Sequence, residues 1–243
     1  MKIGEVFADA WRIYKRLLRR SIVVAGLIFT LVALADALAA RSNTQLTRLV
    51  AVGLGLVGGL LVQGALVEVV RDLHEGREVR SIGAVYDSTR GRLGTLLGAS
   101  LLYGIGVVIG LFLLLIPGLI AAARWSLIVP LVMIERLGWR EAFARSSALV
   151  KGQTGRVLVV NLLSNILSGV ATIALATLFI GLPAFFGNWI GGAIAGALVV
   201  PFGAHVLTVL YYKLTEPQRP VLADTPRRSD WQSIWHEEQD KRD

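Results

Sequence analysis

Six stretches of the chain are long and almost purely apolar, and the segments between them carry nearly all of the charge. The stretches are residues 21–39, 49–70, 93–116, 119–134, 157–180 and 188–211. An α-helix needs roughly 20 apolar residues to cross the hydrocarbon core of a bilayer. Because backbone polar groups in lipid must bond within their own segment, helices are the expected form. The pattern predicts an all-α integral membrane protein with six transmembrane helices in residues 1–213, followed by a tail in residues 214–243.

Short connections arrange these spans as three predicted hairpins. Only Pro117 and Gly118 separate the third span from the fourth. Proline cannot continue a helix and glycine permits a tight reversal, so we expect the chain to turn at this pair. The fourth span is the shortest, and a re-entrant pair that does not fully cross the membrane is the alternative.

A second pattern precedes the first, third and fifth spans. In the first 20 residues, Lys and Arg occupy one face of a helix and apolar residues the other, namely Ile3, Val6, Phe7, Ala10, Trp11, Tyr14, Leu17 and Leu18. This spacing is typical of a basic amphipathic helix at a membrane surface. Aligning Phe7, Tyr86 and Phe143 places three such stretches in parallel. We therefore predict three units of a cytoplasmic interfacial helix and a hairpin. Amphipathic helices unrelated by any repeat are the alternative.

The basic residues predict the orientation of the spans. The chain has 25 Lys and Arg, which concentrate in residues 1–20, 71–92, 136–156 and 213–243. Only Arg41 and Arg48 lie in connections on the other side, and Arg124 lies within a span. Because basic loops stay on the cytoplasmic side, both termini are expected there. The basic start, the apolar run and residues 37–39 also fit a cleavable signal peptide, which is the alternative for this segment.

Ionisable side chains within the spans are candidates for function because they are costly in lipid. Asp36 and Arg124 are expected at similar depths near the outer face, where an ion pair between two helices is the favoured interpretation. The alternatives are that each side chain extends to the membrane interface, or that the pair binds a ligand or proton. Glu68 and His205 lie nearer the inner side. We interpret them as a solvated interfacial carboxylate and a hydrogen-bonded packing histidine, with a proton relay as the alternative.

Amide side chains in the fifth span complete the candidate intramembrane polar network. Asn161 and Asn165 are four residues apart, and Ser164, Ser168 and Thr172 continue the same polar strip. Hydrogen bonds of this kind join helices in membranes, so helix packing is favoured over a path for a solute. Glycines three or four residues apart in the second, third and sixth spans also allow close helix packing, within one chain or between copies in a homo-oligomer.

The basic surface stretches contain the candidate lipid contacts. The side chains are Arg12, Lys15, Arg16, Arg19, Arg20, Arg140, Arg145 and Lys151. Each Lys or Arg near an anionic membrane surface contributes about 1 kcal/mol to the attraction. The net charge of +8 therefore indicates anionic lipid as the partner, and nucleic acid is not expected in a chain with 54% apolar residues.

The sequence contains no recognisable catalytic or metal-binding motif. The chain has no cysteine, which excludes disulfides, thiolate nucleophiles and cysteine-bound metals. His74, His205 and His236 are widely separated, and none belongs to a metal-binding spacing. We therefore predict no catalytic site, no metal and no cofactor.

One stretch resembles a known membrane domain. The run "LIPGLIAAARWSLIVPLVMIERLGWREAFARSSALVKGQTGRVLVV" carries the shared residues Pro117, Gly118, Arg124, Trp125, Pro130, Glu135, Glu141, Ala142, Arg145, Ser146, Leu149, Lys151 and Gly152. It is similar to the membrane domain of some bacterial glycerophosphodiester phosphodiesterases and of related stand-alone inner-membrane proteins. In that family the phosphodiesterase activity belongs to a separate soluble barrel. The resemblance implies a fold and a bacterial-type inner membrane, not an enzyme.

Together these features favour a non-enzymatic module that organises lipid or scaffolds a partner through its basic surface helices. A small transporter or channel that uses the polar residues of the bundle is the alternative. In the tail, Trp231, Ile234 and Trp235 make a short apolar face. We expect that face either to dock on the membrane or to bind a protein partner, unless the tail is frayed.

Overall fold

The computed structural model describes residues 2–42 and 44–216, and this part of the chain forms nine helices. They are α1 Ile3–Arg41, α2 Gln45–His74, α3 Ile82–Arg90, α4 Leu93–Leu113, α5 Leu115–Arg124, α6 Ile128–Ile134, α7 Trp139–Val150, α8 Thr154–Thr177 and α9 Ala184–Thr215. Six helical stretches are long and apolar enough to cross a membrane, with α5 and α6 together making one of them. The prediction of six apolar helices is confirmed, and they indicate a multi-pass membrane protein. The predicted face in the tail lies outside the described residues.

The first and last spans lie side by side at the centre of the bundle. The two helices run antiparallel: the ammonium of Lys213 lies 2.7 Å from a carboxylate oxygen of Asp9, and the indole of Trp189 donates to the Thr30 carbonyl at 3.1 Å. A glycine at 196 allows this approach, since a Cβ there would overlap the Phe29 ring. Helix α2 packs against both helices, so α1, α2 and α9 form the core.

The first 20 residues do not form a separate surface helix. Helix α1 continues from Ile3 to Arg41 without a break, because no glycine or proline interrupts residues 10–25. Its 39 residues span about 58 Å, nearly twice the thickness of a hydrocarbon core. Val6, Ala10 and Ile13 are fully buried within the protein. The apolar face that the sequence assigned to lipid is therefore covered by neighbouring helices, above all α9.

The reversal between the third and fourth spans lies earlier than Pro117 and Gly118. Helix α4 ends at Leu113 and α5 begins at Leu115, with Leu114 extended (φ −159°, ψ 136°) between them. Pro117 falls in the first turn of α5, where an N–H has no acceptor within the helix, so proline is tolerated there. Gly118 instead permits a close approach, since a Cβ on it would lie 2.5 Å from the Leu111 backbone nitrogen.

The fourth span is two helices joined by a turn. Helix α5 ends at Arg124, and α6 begins at Ile128. Pro130 has no N–H for the carbonyl four residues before it, which prevents a continuous helix. The hydroxyl of Ser146, on α7, donates to the Arg124 carbonyl at 2.6 Å and accepts from the Leu127 N–H at 3.3 Å. Ser146 thus binds backbone groups that the break leaves without helical partners.

Large apolar side chains are exposed along one zone of the bundle, which we call the apolar belt. It includes exposed residues from Val23 to Leu38 on α1, from Leu101 to Leu113 on α4, and from Val159 on α8 to Leu178 just after it. On α8 these residues span about 29 Å, which matches the hydrocarbon thickness of a bilayer. The belt is where we expect lipid tails to contact the protein.

Candidate functional site

Most of the charged contacts lie at one end of the bundle, which we call the charged end. It is formed by the start of α1, the end of α2 and the end of α9. Besides the pair of Lys213 and Asp9, the His74 ring nitrogen lies 3.4 Å from a Glu216 carboxylate oxygen. These contacts tie the three central helices together beyond the apolar belt.

Two carboxylates are buried beside arginines near this end. Glu68 and Asp72 are each 1% exposed. The Arg80 Nε donates to Asp72 at 3.0 Å, a second nitrogen of the same guanidinium donates to Glu68, and Arg71 lies 3.8 Å from Glu68. We call these four residues the carboxylate cluster. The hydrogen bond to Asp72 raises the pKa of Arg80 above its usual value, so the cation persists.

Local geometry brings the cluster together. Glu68 and Asp72 are four residues apart and so share a face of α2. After α2 the chain reverses at Gly76 (φ 69°), and Arg80 then donates its own backbone N–H to Asp72 at 3.3 Å. From α1, Arg20 donates to the carbonyls of residues 79 and 80 at 2.9 and 2.6 Å. Arg20, predicted to contact lipid, therefore holds this loop against the bundle.

The predicted partners within the spans are not brought together. Asp36 lies beside the connection between α8 and α9, at the opposite end from the carboxylate cluster. Arg124 is exposed at the end of α5, and within residues 2–42 and 44–216 no ion pair joins it to Asp36. The prediction placed both at one depth, but α1 packs mainly on α9 and α2, which leaves the two residues on separate helix pairs.

His205 and Glu68 also have different partners. His205 is completely buried, and its Nε2 lies 3.2 Å from the hydroxyl of Ser21 on α1. Glu68 binds Arg80 and Arg71 instead. A proton relay between Glu68 and His205 therefore has no direct contact to support it. His205 lies on the side of α9 that faces α1, and this hydrogen bond joins the two helices.

The basic residues predicted to contact lipid fall into two groups. Arg12, Lys15, Arg16 and Arg19 are exposed on one side of α1, and we call them the basic face. Arg140, Arg145 and Lys151 are exposed on or just after α7. Some have partners within the protein: Arg12 pairs with Asp9, Arg145 lies 3.2 Å from Glu135, and Arg140 lies over the Trp139 ring at 4.8 Å.

Two adjoining cavities border the asparagines of α8. One, of 340 Å³, lies among α2, α4, α5, α6, α8 and α9, and the other, of 570 Å³, extends along α8 and α9 with α1 and α2 at its wall. Gln63, Asn161 and Asn165 line both. The rest of the predicted polar strip, Ser164, Ser168 and Thr172, lines the larger one. We call the two together the amide cavity.

The amides in this cavity are incompletely hydrogen-bonded. Asn165 donates to the Asn161 backbone carbonyl at 2.8 Å. The side-chain nitrogen of Asn161 is buried and has no partner in the part of the chain that the structure describes. Gln63 likewise makes no side-chain hydrogen bond among these residues. Hydrogen-bonding capacity is thus available at the cavity wall.

Sequence reasoning missed Gln63, Asp72 and Arg80. Gln63 is the one amide within an otherwise apolar stretch of α2, which is a readable signal. The spacing of Glu68 and Asp72 was also readable, but their partner Arg80 depends on the fold of a loop. Within the described ranges, no group of three or more His, Asp or Glu side chains is placed to hold a metal ion.

No protein-family model, curated protein or solved structure matches this chain. The resemblance of residues 115–160 to the phosphodiesterase membrane domain therefore stays a prediction. The basic face, the carboxylate cluster and the amide cavity are the features of the structure that bear on function.

Proposed function

We propose that this chain is a non-enzymatic multi-pass membrane protein whose charged end binds anionic lipid headgroups and so organises lipid or a partner at the membrane surface. The exposure of the basic face carries the proposal. Because the apolar side of α1 is buried against the protein, the basic side turns outward next to the apolar belt. Lys and Arg at that position meet the headgroups of the surrounding bilayer.

The same proposal orients the protein. With the basic face, the carboxylate cluster and the exposed basic residues of α7 in the cytoplasm, the positive-inside rule is satisfied. Helices α3 and α7 directly precede α4 and α8, and α1 contacts α2, α4 contacts α5 and α8 contacts α9. This order supports three units of surface helix and hairpin, with the first surface helix fused to its span. A bacterial-type inner membrane is the proposed location.

The places of the intramembrane polar residues favour lipid binding over the transporter or channel alternative. Asp36 lies at the opposite end of the bundle from the charged contacts. His205 is buried and hydrogen-bonded to Ser21, and the charge of Glu68 is neutralised by Arg80. A path for a solute needs polar groups in sequence along one route. Asn161, Asn165 and the polar strip of α8 line the two adjoining cavities, but none of the predicted ionisable residues in the described part of the chain lines either of them.

The test replaces Lys15, Arg19 and Lys151 together by glutamine. These residues are exposed, and the purified protein is compared with wild type in nanodiscs that contain phosphatidylglycerol and phosphatidylcholine. We expect wild type to enrich phosphatidylglycerol around itself, as measured by native mass spectrometry of co-purified lipid. At about 1 kcal/mol for each charge at low salt, the triple variant should lose at least tenfold of that preference.

The matched control is Arg48→Gln. Arg48 is exposed at the start of α2, away from the charged end, so its loss should leave the lipid preference unchanged. Added salt should weaken the wild-type preference, because headgroup attraction is screened. Equal binding of zwitterionic and anionic lipid by wild type, or an unchanged preference in the triple variant, would contradict the proposal.

A further inference from the structure

The amide cavity contains amide groups without hydrogen-bond partners among the residues that the structure describes, which indicates that the cavity holds a ligand. In a membrane-spanning bundle, a polar group without a hydrogen bond costs up to several kcal/mol. The buried Asn161 nitrogen and the Gln63 amide have no partner in the described part of the protein. An occupant that donates and accepts hydrogen bonds would remove this penalty.

The depth of the cavity limits what that occupant is. On α8, Asn161 is two residues from Val159, where the apolar belt begins, and Asn165 lies about 9 Å from that point. Ester and hydroxyl groups of membrane lipids lie at the edge of the hydrocarbon, the level of Asn161, and Asn165 lies about one helical turn deeper. Leu162 and Asn165 are exposed on the same side of α8, so the cavity is reached laterally from the bilayer.

The absence of charge limits the occupant further. Among the described residues, no Asp, Glu, Lys or Arg lines either cavity. A phosphate placed there would be buried without a counter-charge, which is strongly unfavourable. Amides, in contrast, suit hydroxyl groups and ester carbonyls. Volumes of 340 and 570 Å³ lie in the usual range of small-molecule sites and far exceed the roughly 30 Å³ of one water.

We infer that the amide cavity is a binding site for an uncharged, hydroxyl-bearing lipid of the diacylglycerol class. Gln63 on α2 and Asn161 and Asn165 on α8 bind the glycerol hydroxyl and ester carbonyls. The acyl chains leave past the exposed leucines of α8 into the apolar belt. This site is separate from the basic face. The amide cavity binds its lipid through hydrogen bonds without charge, whereas the basic face binds through charge.

Photo-crosslinking tests the site. Wild-type protein in phosphatidylcholine nanodiscs is irradiated with a diacylglycerol that carries a diazirine close to one ester, and labelled peptides are mapped by mass spectrometry. We expect label on the segment of α8 around Asn161 and on α2 around Gln63. Unlabelled diacylglycerol should compete, and phosphatidylglycerol should not.

The Asn161→Leu/Asn165→Leu variant keeps side-chain size but removes the amides, and labelling should fall about tenfold with the loss of two hydrogen bonds. The matched control is Asn188→Leu, the same change on α9 away from the cavity, which should label as wild type. If the double variant fails to fold, Gln63→Leu on α2 decides the question, with an expected loss of about threefold for one hydrogen bond.

Three results would overturn the inference. Labelling unchanged by loss of the amides, labelling spread evenly over α4 and α8, or equal competition by phosphatidylglycerol would show ordinary lipid contact or a cavity that holds water alone. The Lys15, Arg19 and Lys151 triple variant should keep full diacylglycerol labelling. Failure of the lipid-preference experiment and failure of this one are therefore distinguishable.

Discussion

Removing the Arg80 guanidinium should destabilise the fold through the two carboxylates that it neutralises. In Arg80→Gln, Glu68 and Asp72 would stay 1% exposed, with Arg71 at 3.8 Å from Glu68 and the more exposed Arg77 at 3.9 Å from Asp72 as the nearby cations. Breaking a buried ion pair by removing one partner costs about 3 to 5 kcal/mol. Because the Arg80 side chain is 37% exposed, solvent screens part of the interaction, and we expect about 2 to 3 kcal/mol.

The assay is the midpoint of thermal unfolding of detergent-solubilised protein, read by size-exclusion chromatography after heating. For a chain of this size, 1 kcal/mol shifts the midpoint by about 2 to 4 °C, so Arg80→Gln should lower it by about 4 to 12 °C. Arg80→Lys should fall between wild type and Arg80→Gln. A single ammonium cannot reproduce the fork that reaches Glu68 and Asp72 together.

Arg77→Gln is the matched control for the same chemical change. Arg77 lies in the same loop, but its side chain is 54% exposed and lies 3.9 Å from Asp72. Because more than half of the Arg77 side chain is exposed, solvent screens its long contact with the buried Asp72, and we expect about 1 kcal/mol or less and a shift of the midpoint of only a few degrees. If Arg80→Gln and Arg77→Gln lower the midpoint equally, the carboxylates do not depend on Arg80 and the reasoning fails. Additive effects of Glu68→Gln and Arg80→Gln in the double variant would lead to the same conclusion.

Two further predictions use the same thermal assay. Ser146→Ala should destabilise by about 1 to 2 kcal/mol, because it leaves backbone groups of the broken fourth span without a partner, and Ser147→Ala is the control that should not. Gly106→Ala should lower the midpoint, since its Cβ would lie 2.5 Å from the tryptophan ring after α5. Gly104→Ala, with open space around it, should be neutral or stabilising, and equal shifts for the two glycines would contradict this packing.

The number and places of the spans could be predicted because the property that defines them is local. An apolar run without charge is visible in any window of the chain, and each predicted run overlaps one of the six apolar helical stretches. The ends of the helices were harder to predict from the sequence. Pro117 looks like a helix end in the sequence, yet it lies within the first turn of α5, and the break at Leu114 has no special residue to mark it.

The N-terminal stretch shows the limit of periodicity. Recurrence of apolar residues at three and four positions indicates that one face of a helix is buried. It does not say what covers that face. Lipid and a neighbouring helix are equally apolar, and here α9 covers much of it: Phe202 lies 6.5 Å from Phe7 and 5.9 Å from Tyr14 between ring centroids.

The candidate residues show the same difference between contacts within one helix, which the sequence predicts, and contacts between helices, which it does not. Asn161 and Asn165 could be recognised together because helix geometry fixes their spacing. Asp36 and Arg124 could not be tested as a pair from the sequence, since the contact depends on which helices are neighbours. The Glu68 partner was hidden for the same reason, because Arg80 reaches it only after the chain reverses at Gly76.

The distribution of packing separates the two proposed lipid sites. In the apolar window of α9, 56% of residues are buried, against 11% in α8, so α9 belongs to the core while α8 lies at its edge. Local opening is easiest where few apolar contacts are buried. Helix α8 supplies two of the three amides of the amide cavity, and the carboxylate cluster fixes only α2 and its loop. Access to the cavity is therefore lateral, past the exposed side of α8, which few buried contacts hold in place. Binding at the basic face depends on charge and salt instead.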